Sequence, residues 1–129
     1  MYGYFCEYNR SAMYIVYGIP NCDTFKKAVN WLQKHKVGYE FHDYRKKGIS
    51  SQKLKTWSKQ VGWETLLNKR GSTWRELDQV TQASITNEKA AINLLVQNTS
   101  AIKRPVIEQE DAVVVVGFDE EVYEKIFKK

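Results

Sequence analysis

Cys22 is the residue whose type and setting could do chemistry. It follows a short apolar run, Tyr14-Ile15-Val16-Tyr17, and a four-residue turn, Gly18-Ile19-Pro20-Asn21, at the point where helical periodicity begins. Unpaired amide N–H groups and the macrodipole at a helix start favour an anion. The thiolate is the reactive form of cysteine, and a helix N-terminus with further help lowers the thiol pKa from about 8.5 to as little as about 3.5–7.5. Each unit of such a shift favours the thiolate by about 1.36 kcal/mol. Pro20 fixes the turn, and Asn21 offers a side chain to the free amides. A second element supplies a cation. Lys103-Arg104-Pro105 stands just before another apolar strand. In an open sheet that turn can meet the first strand–helix turn at the strand ends where ligands bind, so that Arg104 faces Cys22. A guanidinium fork suits tetrahedral oxyanions and carboxylates and stabilises a thiolate. The bland alternatives are an inert, half-buried thiol at Cys22 and an ordinary edge proline beside a surface arginine at Arg104-Pro105.

Other chemistries fall away. His35 and His42 are the only histidines, too few and badly spaced for a metal site of three or four ligands, so no metal is expected. His35 reads as a cap on its own helix end. There is no Gly-x-Ser-x-Gly elbow and no phosphate-cradling glycine loop. Trp31, Trp57, Trp63 and Trp74 are mostly helix-borne and read as core or seam aromatics rather than a stacking platform. Tyr44 and Arg45, just after the second strand, could border the site but read as surface loop. The chain carries 20 Lys+Arg against 15 Asp+Glu, a net charge of +5. The basic run Arg45, Lys46, Lys47, Lys53, Lys55 and Lys59 reads as a solvated face, and without a recognition motif no nucleic acid partner is expected.

The elements that must position Cys22 and Arg104 are legible from the spacing. Met1 to Ala12 is Tyr-rich without a period and reads as a translation-start extension or flexible arm, which discounts Cys6 as a designed catalytic group. From residue 13 the chain reads as one domain: 129 residues, 43% hydrophobic, suffice for a single core. Tyr14 to Tyr17 is a buried strand. Phe25, Ala28, Val29 and Leu32 mark the core stripe of the following helix, with Asn21 as its expected N-cap and Gly38 as its expected stop. Tyr39 to Tyr44 alternates as a second strand, giving β-α-β with a parallel pair. The stretch from about 50 to 98 reads as an inserted helical block. Its stripes are Leu54, Trp57 and Val61, capped by Ser50 or Ser51 and ended by Gly62, and then Ala90, Ala91, Leu94 and Leu95, capped by Thr86. A Thr73 to Glu76 capping box suggests a short helix between them. The block has too few large apolar residues to close a core alone. Val106 to Glu108 and Ala112 to Val116 form a hairpin, and a last helix from Asp119 buries Val122, Tyr123, Ile126 and Phe127. The expected fold is therefore α/β, a mixed four-stranded sheet in the order β-α-β, helices, β-β-α. No stretch approaches the roughly 20 apolar residues of a membrane span, and Met1 to Ala12 lacks the apolar region of a secretory signal. Two cysteines cannot build a disulfide framework, so the expected compartment is the reducing cytoplasm.

Ile19-Pro20-Asn21-Cys22-Asp23-Thr24 together with Ile102-Lys103-Arg104-Pro105-Val106 resembles the arsenate reductase (ArsC) family, most closely its YffB branch. His42-Asp43-Tyr44-Arg45-Lys46 and Leu66-Leu67-Asn68-Lys69-Arg70-Gly71 resemble that branch as well. The likeness runs from Met13 to Lys129. It implies a thioredoxin-like fold with an inserted helical subdomain and a cis proline at Pro105. It also implies a single nucleophile, Cys22, working with glutathione as co-substrate and with glutaredoxin, and no bound cofactor. The anion-binding set it suggests is Arg104, Arg70, Asn21 and Thr24, with Pro20 and Pro105 shaping the site. The expected substrate is a small oxyanion or a disulfide. Glutathione-linked arsenate reductases have a histidine four residues before the cysteine, where this chain has Gly18, and an arginine after the Leu-Leu pair, where it has Asn68. Arg70, two residues on, is the substitute. A third arginine has no counterpart in Gly117-Phe118-Asp119-Glu120, so an arsenate would be held by fewer fixed charges. The related Spx regulators carry Cys-x-x-Cys, but here Phe25 stands at the second cysteine position, so a resolving thiol must come from outside. The competing expectation is a Spx-like protein that binds RNA polymerase without turnover.

Overall fold

A computed structural model describes residues 13–128; the expected N-terminal extension and Cys6 lie outside the described residues. Among those residues, four strands form one sheet: β1 (Tyr14–Gly18), β2 (Tyr39–Asp43), β3 (Val106–Gln109) and β4 (Ala112–Val116), in the order β2-β1-β3-β4. The pairing of β1 with β2 is parallel, as a helical crossover requires, and β1–β3 and β3–β4 are antiparallel. This is the expected thioredoxin-like mixed sheet.

The crossover helix α1 (Asp23–Lys34) buries Phe25, Ala28, Trp31 and Leu32. Those side chains pack with Val16 of β1, Ile107 of β3 and Tyr123 of the last helix, α8 (Glu120–Phe127). Aromatic edges bind this layer together. Trp31 meets Tyr123 at 5.5 Å, and Tyr14 meets Phe127 at 4.9 Å, both T-shaped. Asp119 caps α8, accepting from the N–H groups of Glu121 and Val122. Val122 is not buried as expected; it is 39% exposed, because the apolar face of this short helix is set by Tyr123 and its neighbours one turn on.

Two expectations for α1 are corrected. Its N-cap is Cys22, in extended conformation, and Asn21 lies in the preceding exposed turn. Its C-terminal left-handed residue is Lys36, with φ 58°, not Gly38. The N–H of Val37 donates to Leu32 O at 2.9 Å and that of Lys36 to Gln33 O at 3.1 Å, so the turn closes two residues earlier than the glycine suggested. His35 Nδ1 lies 2.9 Å from Trp31 O, donating to it at the helix end.

The chain divides into two compact units, one made of 13–43 with 104–128 and the other of Tyr44–Lys103. The second unit is helical. It contains α2 (Tyr44–Lys47), α3 (Ser51–Val61), α4 (Trp63–Leu66), α5 (Ser72–Arg75), α6 (Gln79–Ser84) and α7 (Glu88–Gln97). Tyr44 starts a helix rather than ending β2, and it is buried rather than part of a surface loop. Ser50 caps α3 through its bond from Lys53 N, and Gly62 ends it at φ 89°. The cap of α7 is Asn87, not Thr86, accepting from Ala90 N at 2.9 Å. The short helix α5 starts at Ser72 with Gly71 at its N-cap, so Thr73 lies inside it and makes no capping box. Helix α6 had no apolar period to announce it; Val80 on it is 81% exposed. Where the chain enters and leaves this unit's core, Lys103 N donates to Leu66 O at 2.7 Å and Asn68 N to Ala101 O at 2.8 Å.

Candidate active site

The site is built at one end of β1 and β3. The β1 strand ends at Gly18, the chain turns through Pro20-Asn21, and Cys22 stands at the mouth of α1. From the other side, Arg104-Pro105 leads into β3, and the Arg104–Pro105 peptide bond is cis. Tyr17 pairs with Val106 in the antiparallel register, so the residues just beyond them, the Cys22 turn and the Arg104 turn, emerge side by side.

There the Arg104 guanidinium hydrogen-bonds the Cys22 sulfur. Burial pushes the thiol pKa up. It is opposed by the hydrogen bond from Arg104, the N–H of Phe25, the charge of Arg104 and the N–H of Thr24, and the balance leaves the thiol below its ordinary value. Those two amides belong to the first turn of α1, and Cys22 itself takes the N-cap position without a side-chain capping bond of regular geometry. Cys22 is half-buried, packed against the edge of the Val16–Phe25–Ile107 core.

The other sequence candidates fall in different places. Asn21 and Pro20 are exposed in the turn, Thr24 is exposed in the first turn of α1, and Pro105 is buried. Arg70 belongs to the helical unit; it is exposed, and its backbone N–H donates to Asn68 Oδ1 at 3.2 Å. Among the described residues no group of three or more His, Cys, Asp or Glu could hold a metal ion. No described helix is long and apolar enough to cross a membrane.

Gly18 has a local physical cause. A Cβ there would collide with the Phe25 ring, whose Cε1 would lie 2.7 Å away. The ring occupies the space, and it leans on Phe41 of β2 at 5.1 Å. A side chain at position 18 and a phenylalanine at position 25 therefore exclude each other. Helical spacing puts Phe25 on the core stripe, but no spacing along the chain encodes this contact.

Two residues near the site carried no sequence argument. Tyr17 and Glu108 form a buried hydrogen bond, Oη donating to Oε1 at 2.8 Å. The only hint was a glutamate inside the apolar strand Val106-Ile107-Glu108.

An uncharacterized protein of Haemophilus influenzae is 43% identical over 115 residues, covering 89% of this chain and 99% of its own. A solved structure named YFFB protein superposes with a TM-score of 0.81 at 43% identity, covering 88% of this chain and 97% of that one. The global transcriptional regulator Spx of Streptococcus pyogenes is 29% identical over 105 residues, 79% of this chain and 75% of its own. The model of the ArsC family matches residues 17–126. The match contains both the Cys22 turn and the Arg104-Pro105 turn, and the chain belongs to the ArsC family.

Proposed function

We propose that the protein is a glutathione-dependent thiol reductase of arsenate reductase type, working in the cytoplasm with Cys22 as its single nucleophile. The observation that carries this reading is the guanidinium of Arg104 hydrogen-bonded to a sulfur at a helix start, with the thiol pKa drawn below its ordinary value. A free thiolate at neutral pH is what nucleophilic attack on sulfur or on an oxyanion centre requires.

On a disulfide, the Cys22 thiolate attacks one sulfur, a new S–S bond forms and the other sulfur leaves as thiolate. If the retained half is glutathione, a second glutathione thiolate attacks the glutathionyl sulfur. Glutathione disulfide leaves and Cys22 returns to thiolate. On an oxyanion such as arsenate, a bond forms from sulfur to the central atom and an oxygen leaves as water. Two glutathione thiols then supply the two electrons and depart as glutathione disulfide while a second oxygen leaves as water, and hydrolysis of the remaining sulfur–arsenic(III) bond releases arsenite and returns the Cys22 thiol. Glutaredoxin is a partner able to take the glutathionyl group from Cys22. In either course Arg104 orients the anion, Arg70 is a weaker helper, and Asn21, Thr24 and the first-turn amides receive charge on the adduct. Pro20 and Pro105 shape the two turns. With Gly18, Asn68 and Gly117-Phe118 at positions where glutathione-linked arsenate reductases carry histidine or arginine, a disulfide makes the smaller demand on fixed charge.

Incubation with oxidised glutathione followed by mass spectrometry tests the reading. One glutathionyl adduct on Cys22 is expected, removed by reduced glutathione and absent from Cys22→Ser, which also loses turnover. A Cys22→Ser variant with full reductase activity would end it. The similarity to Spx favours a second reading, a regulator that binds RNA polymerase. Recovery of polymerase in stoichiometric amount, with no turnover, would select it.

A further inference from the structure

Glu108 is the one charged side chain among the described residues that is almost wholly buried, at 1% exposure. A carboxyl group taken out of water costs free energy unless it is bonded, so its place in an apolar strand calls for a reason. Its partner Tyr17 is also buried, at 4% exposure. The two are not direct cross-strand neighbours. Tyr17 stands opposite Val106, and Glu108 stands opposite Ile15. The phenol crosses diagonally, the reach that a long side chain has over a pair of strands. It fastens the end of β1 to the body of β3.

Those two strands carry the site. Cys22 lies five residues beyond Tyr17 on one chain segment, and Arg104 lies four residues before Glu108 on the other. Their alignment depends on how β1 and β3 twist and slide against each other. The ladder there is short, three pairs from Ile15 to Tyr17, and on its far side the β3–β4 register slips between Ile107 and Glu108. A short ladder beside a slipped register leaves shear to be fixed by side chains. The Tyr17 ring is itself held from β2 by the His42 ring, with centroids 4.6 Å apart.

We infer that Tyr17 and Glu108 are positioning residues for the Cys22–Arg104 pair, their buried hydrogen bond holding the strand that ends at the nucleophile in line with the strand that begins at the cation. Neither touches a reactant. Burial, reinforced by the bond to Glu108 and by nearby negative charge, pushes the Tyr17 phenol well above its ordinary pKa, so it stays a donor across the working range. A sulfur–guanidinium hydrogen bond weakens steeply with misalignment, so loosening this clamp reaches the thiol without removing any group from the site.

The inference rests on Cys22 being the working thiolate, and one series separates the two. The Cys22 thiol pKa is read from the pH dependence of alkylation by iodoacetamide in the wild type, Tyr17→Phe and Glu108→Gln. A wild-type value near that of a free thiol, about 8.5, overturns the proposed function itself. With the wild type low, Tyr17→Phe keeps the ring and its contact with His42 but loses the bond. It is expected to raise the thiol pKa by about half a unit or more, moving the midpoint of the alkylation–pH profile up by the same amount. Glu108→Gln keeps an acceptor for the phenol and is expected to leave the pKa unraised. A wholly structural role would lower the melting temperature of Tyr17→Phe and leave its thiol pKa at the wild-type value, and that result overturns the inference. So would a fall in pKa in Glu108→Gln equal in size to the rise in Tyr17→Phe, since the carboxylate would then act through charge alone. If Glu108→Gln fails to fold, Tyr17→Phe decides the matter by itself.

Discussion

The sulfur of Cys22 is held between opposing influences. Removal from water disfavours its charge, while a guanidinium and two helix-start amides favour it, and the favourable set prevails. Arg104 contributes both a hydrogen bond and a charge, so it is the largest single source of thiolate. Arg104→Ala should therefore raise the Cys22 pKa by about one unit or more, moving the midpoint of its alkylation–pH profile up by the same amount. Arg104→Lys should recover part of the charge effect but not the directed fork. Titration of thiolate absorbance near 240 nm checks both. An unchanged titration in Arg104→Ala would separate the cation from the sulfur. At the same scale, the chain has no thiol at the Cys-x-x-Cys spacing from Cys22. Phe25 takes the position where a Cys-x-x-Cys pair would have its partner, and it is 6% exposed in the core, so an internal disulfide with Cys22 at that spacing is not available.

At the scale of elements, two local contacts decide how the site is framed. The close approach of Gly18 to the Phe25 ring couples β1 to α1 directly across the Cys22 turn. Gly18→Ala should overpack this point and cost about 1–3 kcal/mol of stability in urea unfolding. Adding Phe25→Leu should return part of that loss, because the smaller side chain vacates the space; additive losses in the double variant would contradict the contact. The last helix depends on its cap. Asp119 receives two amide bonds, at 3.0 and 3.3 Å, and Asp119→Ala should cost about 1 kcal/mol. Since α8 brings Tyr123 onto Trp31 and Ile107, that loss should appear in the melting temperature with no change in the Cys22 titration.

For the molecule as a whole, two buried phenols set an alkaline limit. Burial, with the Glu108 bond as a second cause, raises Tyr17, and burial raises Tyr123, both well above the ordinary value of 10.0. The sign follows from linkage. A phenol that resists ionisation in the folded state favours that state fully below its unfolded pKa, near 10, and loses this advantage as pH rises toward its folded value. Stability should thus be flat with respect to these groups up to about pH 10 and fall above it. Absorbance near 295 nm should show exposed tyrosines ionising first and the last phenols ionising together with loss of circular dichroism. Smooth titration of every tyrosine near pH 10 with the fold intact would contradict the burial of both.

The sequence by itself determined the elements whose hydrophobic period was strong. The crossover helix shows it through Phe25, Ala28 and Leu32, three of the strands through their β-branched runs and β2 through its alternation, and the last helix through Tyr123, Ile126 and Phe127. It also marked Cys22 and Arg104, because a cysteine at a strand–helix turn and an arginine before a proline are local patterns. Boundaries were less legible. Cys22 rather than Asn21, Asn87 rather than Thr86 and Lys36 rather than Gly38 took the capping positions, since a cap depends on a backbone torsion that several polar residues or turns can satisfy. Helix α6 was silent because it buries nothing with a period. What only the tertiary structure decided were relations between distant positions. The bond between Arg104 and the Cys22 sulfur, the ring of Phe25 over Gly18, and the phenol of Tyr17 on Glu108, 91 residues away, are of this kind. Each is a matter of ångströms between side chains on separate strands and turns, and no spacing along one chain segment encodes it.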